Sequence, residues 1–159
     1  MSIRIVTDST ADIPVEIANK LNIKVVPLNV HFGQSTFKDG IDLTTDNFFD
    51  KLIQGPHFPS TSQPSIGDFM EAYKPIIEKG DEIISIHISS KLSGTTNSAI
   101  QAAEQLKDDG NIAVVDTLQA SLTVGLTAMA AAKAVLEGKV FQEVVDLAKS
   151  TNINIKILN

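Results

Sequence analysis

Short β-branched runs alternate along this chain with longer segments whose apolar positions recur at helical spacing. Residues 3–7 read as a first strand, and Asp8, Ser9 and Thr10 follow as a polar turn. Asp12 ahead of Pro14 predicts an N-cap and a first-turn proline for a helix over 14–21. A second strand is expected over 24–30, a small hairpin over 32–37 and a turn at Asp39-Gly40. Thr44 or Thr45 starts a helix that reaches about Ile53. The stretch 54–64 carries Pro56, Pro59 and Pro64 and reads as loop. Ser65 opens a helix through Glu78, and Gly80 terminates it.

The second half repeats the alternation more plainly. Residues 82–88 form a strand apolar on both faces, 89–94 a polar loop and 95–107 a helix. A strand over 111–115 leads to a long Ala-rich helix over 118–137, which Gly138 breaks before a further helix over 140–149. Strands separated by helices predict an α/β fold: a mostly parallel sheet with right-handed crossovers and helices on both faces. Residues 1–150 are expected to be one such domain. Ile153, Ile155 and Ile157 alternate strictly with polar residues, the mark of a half-buried strand in a different kind of sheet. Residues 151–159 therefore read as the start of a second, C-terminal domain absent from this chain.

Composition narrows the function more than the fold. No cysteine occurs, so disulfides, a zinc-thiolate site and a cysteine nucleophile are excluded. The net charge is −6, Arg4 is the sole arginine and the lysines are scattered, which argues against a nucleic-acid surface or a polybasic membrane patch. The start MSIRIVTDST lacks the apolar run of a signal peptide, and no stretch of about 18 apolar residues is present. A cytoplasmic setting without membrane insertion is the expectation.

In an open α/β sheet, ligands sit beyond the carboxyl ends of the strands. Asp8-Ser9-Thr10, Ser89 to Gly94 and Asp116-Thr117 fall there, and the 59–65 loop, PSTSQPS, can reach the same edge. Ser89-Ser90-Lys91-Leu92-Ser93-Gly94-Thr95 leaves a strand and enters a helix, where free backbone N–H groups favour an anion. Ser93 can add a hydroxyl donor, and Gly94 lets a ligand approach the backbone. Ser93 as a plain helix cap is the competing reading. Thr61 and Ser62 add two hydroxyls on a proline-stiffened loop. Asp8 and Asp116 read first as turn-holders, second as a base or metal ligand. His31, His57 and His87 have no metal-ligand spacing, and His87 reads as a hydrogen-bonded core histidine before a catalytic base. GxGxxG, GxxxxGK[ST] and GxSxG are all absent.

Taken in order, Thr7-Asp8-Ser9-Thr10-Ala11-Asp12-Ile13-Pro14, Thr61-Ser62-Gln63-Pro64-Ser65, the Ser89–Thr95 segment and Val115-Asp116-Thr117 with Ala120-Ser121 resemble the DegV family. The resemblance covers the whole chain. It implies a two-domain protein with a long-chain fatty acid between the domains, its carboxylate met by Thr61, Ser62 and Ser93 with the Gly94 amide nearby. It also implies a carrier that works without cofactor or catalytic residue and presents the acid to the A subunit of a fatty acid kinase. Two positions depart from relatives: Thr96 stands where Tyr is frequent, and glycine after Ala120-Ser121 is limited to Gly125. The reading from another class is a small-molecule hydrolase or transferase that uses Asp8, His87 or Ser93, disfavoured by the lack of a nucleophile elbow or ordered triad.

Overall fold

β6 (Glu82–His87) sends Ile84 and Ile86 to one side of its sheet and Ile83 to the other, and all three are fully buried. A strand buried on both faces needs cover on both, the usual condition of a parallel sheet. β6 pairs with β1 (Ile3–Asp8), and β2 (Lys24–Val26) and β7 (Ile112–Asp116) lie outside them. The order is β2-β1-β6-β7, parallel throughout. The computed structural model describes residues 2–154, with side chains through residue 151.

α1 (Val15–Lys20), α5 (Leu122–Leu136) and α6 (Phe141–Asn154) cover the face of Ile5, Ile84 and Ile86. α3 (Ile66–Ile77) and α4 (Thr95–Gln105) cover the face of Val6 and Ile83. The expected α/β architecture with helices on both faces is thus observed. Ser65 and Asp68 close a capping box on α3, with each residue's side chain bonded to the other's backbone N–H. α5 packs closely because its contact positions are small: Ala128, Ala131 and Ala132 are buried. A Cβ at Gly125 would collide with the Ala11 carbonyl oxygen, so the helix rests directly on the 3-10 turn Ser9–Ala11.

Between β2 and α3 the chain makes an excursion with its own small core. β3 (Asn29–Phe32), β4 (Ser35–Lys38) and β5 (Pro59–Ser62) form an antiparallel sheet in the order β4-β3-β5, with α2 (Thr45–Gln54) against it. Val30, Phe32 and Leu43 pack with Phe37 and Phe48. The expected hairpin is present, with Gly33 at φ +60° in its turn.

Several expectations are corrected here. The strand over 24–30 is two strands in two sheets, because Pro27 has no N–H to donate and the Leu28 N–H turns away to Ser9 Oγ at 3.1 Å. The loop over 54–64 contains β5, an edge strand whose Pro59 stands at its first position, where proline is tolerated. Asp12 does not cap α1. It takes a left-handed φ of 51° after the 3-10 turn and accepts a hydrogen bond from Ser121 Oγ at 2.5 Å. α5 starts at Leu122 instead of 118, because Leu118 and Ser121 have φ of 53° and 56°, incompatible with a continuing helix. α6 runs through Asn154 and so crosses the expected boundary between 150 and 151, and Ile153 and Asn154 are helical. The rest of the strand expected over 153–157, namely 155–157, lies outside the described residues.

Candidate functional site

Strand order fixes where a ligand can enter. After β1 the chain turns towards α1 on one face, and after the neighbouring β6 it turns towards α4 on the other. Connections diverging from adjacent parallel strands leave a crevice at their carboxyl ends. Asp8, Ser9 and the Ser89–Gly94 loop border it. The antiparallel sheet is tied to the same edge through the Leu28 bond to Ser9.

The floor of the crevice is a buried polar chain. Asp8 Oδ2 lies 2.8 Å from His87 Nδ1, His87 Nε2 lies 2.6 Å from Ser85 Oγ, and the Tyr73 hydroxyl donates to Ser85 Oγ at 2.7 Å. All four side chains are fully buried. Burial alone would raise the Asp8 carboxyl, but the His87 hydrogen bond and electrostatic attraction, with further bonds from Thr10 and Ile88, hold it below its ordinary value. Burial pushes the Tyr73 phenol up. Asp8 also accepts from Thr10 N–H at 3.1 Å, the turn-holding role expected of it. The Asp8–His87–Ser85 sequence of bonds resembles a catalytic triad in connectivity, but its hydroxyl is fully buried and bonded to Tyr73, and the Phe69 ring packs on His87. Asp116 likewise holds its loop, accepting from Ser90 and Leu118 N–H groups at 3.2 and 3.0 Å.

Ser93 and Gly94 stand at the start of α4. Gly94 is the N-cap residue and offers no side chain, so Ser93 is not a simple cap. Ser93 Oγ accepts from the Thr95 N–H at 3.3 Å and lies 2.9 Å from Thr95 Oγ1. With Thr95 as donor in both contacts, the Ser93 O–H is left for a ligand. Thr96 Oγ1 donates to the Ile88 carbonyl at 2.7 Å and pins the loop to the end of β6.

Thr61 and Ser62 are consecutive residues of β5, so their side chains point to opposite faces of the antiparallel sheet. Ser62 Oγ lies 2.9 Å from His31 Nε2 and 3.3 Å from Asn29 Nδ2, while His31 Nδ1 lies 2.9 Å from Thr36 Oγ1. With the His31 proton on Nε2, Ser62 accepts from both neighbours and keeps its own O–H to give. Thr61 is exposed, and its hydroxyl makes no hydrogen bond among the described residues. Gln63 follows, and it joins the two segments: its carboxamide lies against Gly94 and donates to Ser98 Oγ at 3.2 Å. From the sequence, Gln63 reads as part of a loop, Asn29 as part of a strand and His31 as a histidine without metal-ligand spacing. The period-2 spacing of Asn29 and His31 on one face of β3 was the available signal.

A cavity of about 590 Å³ opens beside the ends of β1 and β2, lined by Ser9, Ile13, Val25, Pro27 and Ile41 among others. Its size falls in the range of small-molecule pockets. Thr61, Ser62, Ser93 and Gly94 do not line it. Among the described residues no group of acidic or histidine side chains is arranged to hold a metal ion.

A doubly covered parallel sheet with an antiparallel excursion docked at its switch point defines an α/β domain with an anion-compatible carboxyl edge. Residues 2–158 match the family described as "Uncharacterised protein, DegV family", and the chain belongs to the DegV family. A DegV domain-containing protein of Deinococcus radiodurans is 41% identical over 145 residues, covering 91% of this chain and 51% of that protein. One from Staphylococcus aureus is 38% identical over 153 residues, covering 96% and 54%. Among solved structures, a DegV family protein from Thermus thermophilus described by its fatty acid binding superposes with a TM-score of 0.86 at 38% identity, over 96% of this chain and 54% of that one. DegV from Bacillus subtilis, described as a fatty acid binding protein, gives 0.90 at 32% identity, with the same coverage of 96% and 54%. The chain thus spans about half the length of the curated relatives it matches.

Proposed function

We propose that this chain binds a long-chain fatty acid, with the carboxylate held by Thr61, Ser62, Ser93 and the backbone N–H of Gly94. The observation that carries the reading is the convergence of the β5 end on the start of α4 at the switch point. Thr61 and Ser93 are the principal donors, and Ser62 flanks them from the other face of its strand. The N–H groups of Gly94, Thr96 and Asn97 have no protein acceptor among the described residues, and the helix dipole favours negative charge there. Relatives described as fatty acid binding support the same class of ligand. Most of the affinity would come from burying the alkyl chain, at about 0.8 kcal/mol per methylene, while the donors orient the head group.

The chain acts as a carrier in this reading. Asp8 and His87 are fully buried and committed to each other, which supports holding over turnover. The finer reading is that the carboxylate is presented in the cytoplasm to an acyl-phosphorylating fatty acid kinase, with no cofactor bound by this chain. No helix among the described residues is long and apolar enough to cross a membrane.

The test is mass spectrometry of lipid extracted from the purified protein, followed by oleate titration. Ser93→Ala and Thr61→Ala should each weaken binding about tenfold or more with the fold intact, since a hydrogen bond to a charged group contributes roughly 1.5–3 kcal/mol. Unchanged affinity in the double variant rejects the site. Acyl phosphate formed from the loaded chain by an added fatty acid kinase and ATP tests the partner.

A further inference from the structure

We propose that Gln63 and Gly94 are a fitted pair whose task is to position the β5 hydroxyls against the start of α4, and that position 94 is glycine to admit Gln63. The inference rests on the head-group reading above and assigns a role to a residue that reading leaves idle. Gly94 has φ −73° and ψ 0°, a backbone open to any L-residue, so conformational freedom does not explain the glycine. Space does. A Cβ built on Gly94 would fall on the carboxamide of Gln63, with Cδ at 2.5 Å and Nε2 at 2.6 Å.

Gln63 is exposed as a residue, and one side-chain hydrogen bond fixes its carboxamide. Gln63 Nε2 donates to Ser98 Oγ at 3.2 Å, and the Ser98 N–H donates to the Gly94 carbonyl at 2.9 Å, so the carboxamide lies along the first helical turn. Ser98 is buried, and its position is fixed by the helix. On the other side, the Gln63 carbonyl accepts from Asn29 Nδ2 at 3.3 Å, which binds the same residue back to β3. Gln63 is therefore held by side chain to the parallel-sheet domain and by backbone to the antiparallel sheet. Thr61 stands two residues before it. In this assignment a carboxamide pushed off Gly94 gives up its bond to Ser98 and loosens the end of β5, which carries Thr61, without altering the Thr61 or Ser93 hydroxyl. Gln63 is a positioning residue in this assignment, and the glycine serves the protein's own side chain before it serves a ligand.

A double-mutant cycle on the full chain tests the pair. Gly94→Ala, Gln63→Ala and the two together are compared by thermal melting and by displacement of a fluorescent polyene fatty acid with oleate. Gly94→Ala should lower Tm by about 2–4 °C, because the exposed carboxamide must swing aside and give up its bond to Ser98. In the Gln63→Ala background the same substitution should cost almost nothing. Affinity should follow the same pattern: at least tenfold lost on Gly94→Ala alone, and no further loss when it is added to Gln63→Ala. Additive melting shifts overturn the fitted pair whatever the affinities do. A coupled melting cycle with Gly94→Ala binding oleate as wild type does overturns the positioning role. A Gly94→Ala affinity loss of equal size in both backgrounds shows that the glycine makes room for the ligand, and also overturns it. If the wild-type chain binds no fatty acid, the head-group reading fails by that result alone. The pair is then decided by amide exchange at Thr61, which should accelerate at least tenfold in Gly94→Ala and return to the Gln63→Ala rate in the double variant.

Discussion

The β2-β1-β6-β7 sheet is covered on two faces, and the β4-β3-β5 sheet rests on a handful of aromatic and aliphatic contacts. In the first, Ile83, Ile84, Ile86, Phe69 and Tyr73 have no measurable exposure or nearly none. In the second, Val30 and Phe32 retain 6% and 8%, and α2 has no buried residue at all. Phe49, Ile53 and Phe58, in and just after α2, are 52%, 78% and 88% exposed. The difference teaches where rigidity is placed. The parallel sheet supplies an edge with Ser93 and Gly94, the end of the thinner sheet meets it through Gln63, and the thinner sheet is expected to open at lower cost.

The largest expected effect separates the two cores. Phe69→Ala removes a ring packed on Tyr73 and His87 at centroid distances of 5.8 and 5.0 Å. It should cost about 3–5 kcal/mol of global stability. Phe32→Ala removes edge contacts to Phe37 and Phe48 at 6.5 and 5.8 Å, and should cost about 2 kcal/mol or less globally. Its clearest effect should be faster amide exchange in β3, β4 and β5, with β1 and β6 unchanged. Urea melts with residue-resolved exchange decide this. Equal global losses in the two variants would show a single cooperative core.

A smaller effect belongs to the buried chain under the crevice. Asp8→Asn weakens the bond to His87 Nδ1 inside the rigid region and should cost about 3 kcal/mol at neutral pH. The folded Asp8 carboxyl lies below its ordinary 3.8. Its contribution is therefore complete above that value and is lost as pH falls through the depressed folded value. The gap between wild type and variant should close as pH falls below about 4. Denaturation at a series of pH values checks it, and a gap that fails to narrow in acid contradicts the assignment.

The same contrast separates what was legible in the sequence from what was not. β6 could be read because three isoleucines in six residues are buried on two faces, and Ser65 announced α3 through a capping box whose partner, Asp68, is local. β5 could not be read, because a segment with Pro56, Pro59 and Pro64 becomes a strand only through its pairing with β3. Local propensity carries no trace of that contact. The site shows the same split. Ser93, Gly94 and the Thr61-Ser62 pair stood out as clustered hydroxyls and a glycine at a strand edge. The bond from Asp8 to His87 spans 79 positions, and the clamp of Gln63 on Ser98 spans 35. Both depend on topology that no local spacing encodes. Asp12 was misread because an Asp before a proline is a frequent cap signal, and its distant partner Ser121 takes the carboxylate instead.

The smallest predicted effect lies on the seam between the two regions. Lys38 of β4 meets Asp68 of α3 at 2.8 Å, with side chains 32% and 24% exposed. An ion pair this open to solvent contributes roughly 0.2–1 kcal/mol and is screened by salt. Asp68 is the wrong residue to change, because its other oxygen accepts from the Ser65 hydroxyl and N–H, and its loss would also break half of the capping box on α3. Lys38→Met keeps the aliphatic stem and removes only the charge. Burial would raise the Asp68 carboxyl, but hydrogen bonds from Lys38 and Ser65 bring it below its ordinary 3.8, so the pair persists at neutral pH and is lost only in acid. Lys38→Met should therefore lower stability by less than about 1 kcal/mol at low salt and by almost nothing at 0.5 M salt. Exchange at Phe37 and Lys38 should rise modestly while β6 is unaffected. A loss above about 2 kcal/mol that ignores salt would mean that the seam is part of the core and that the thin sheet does not open separately.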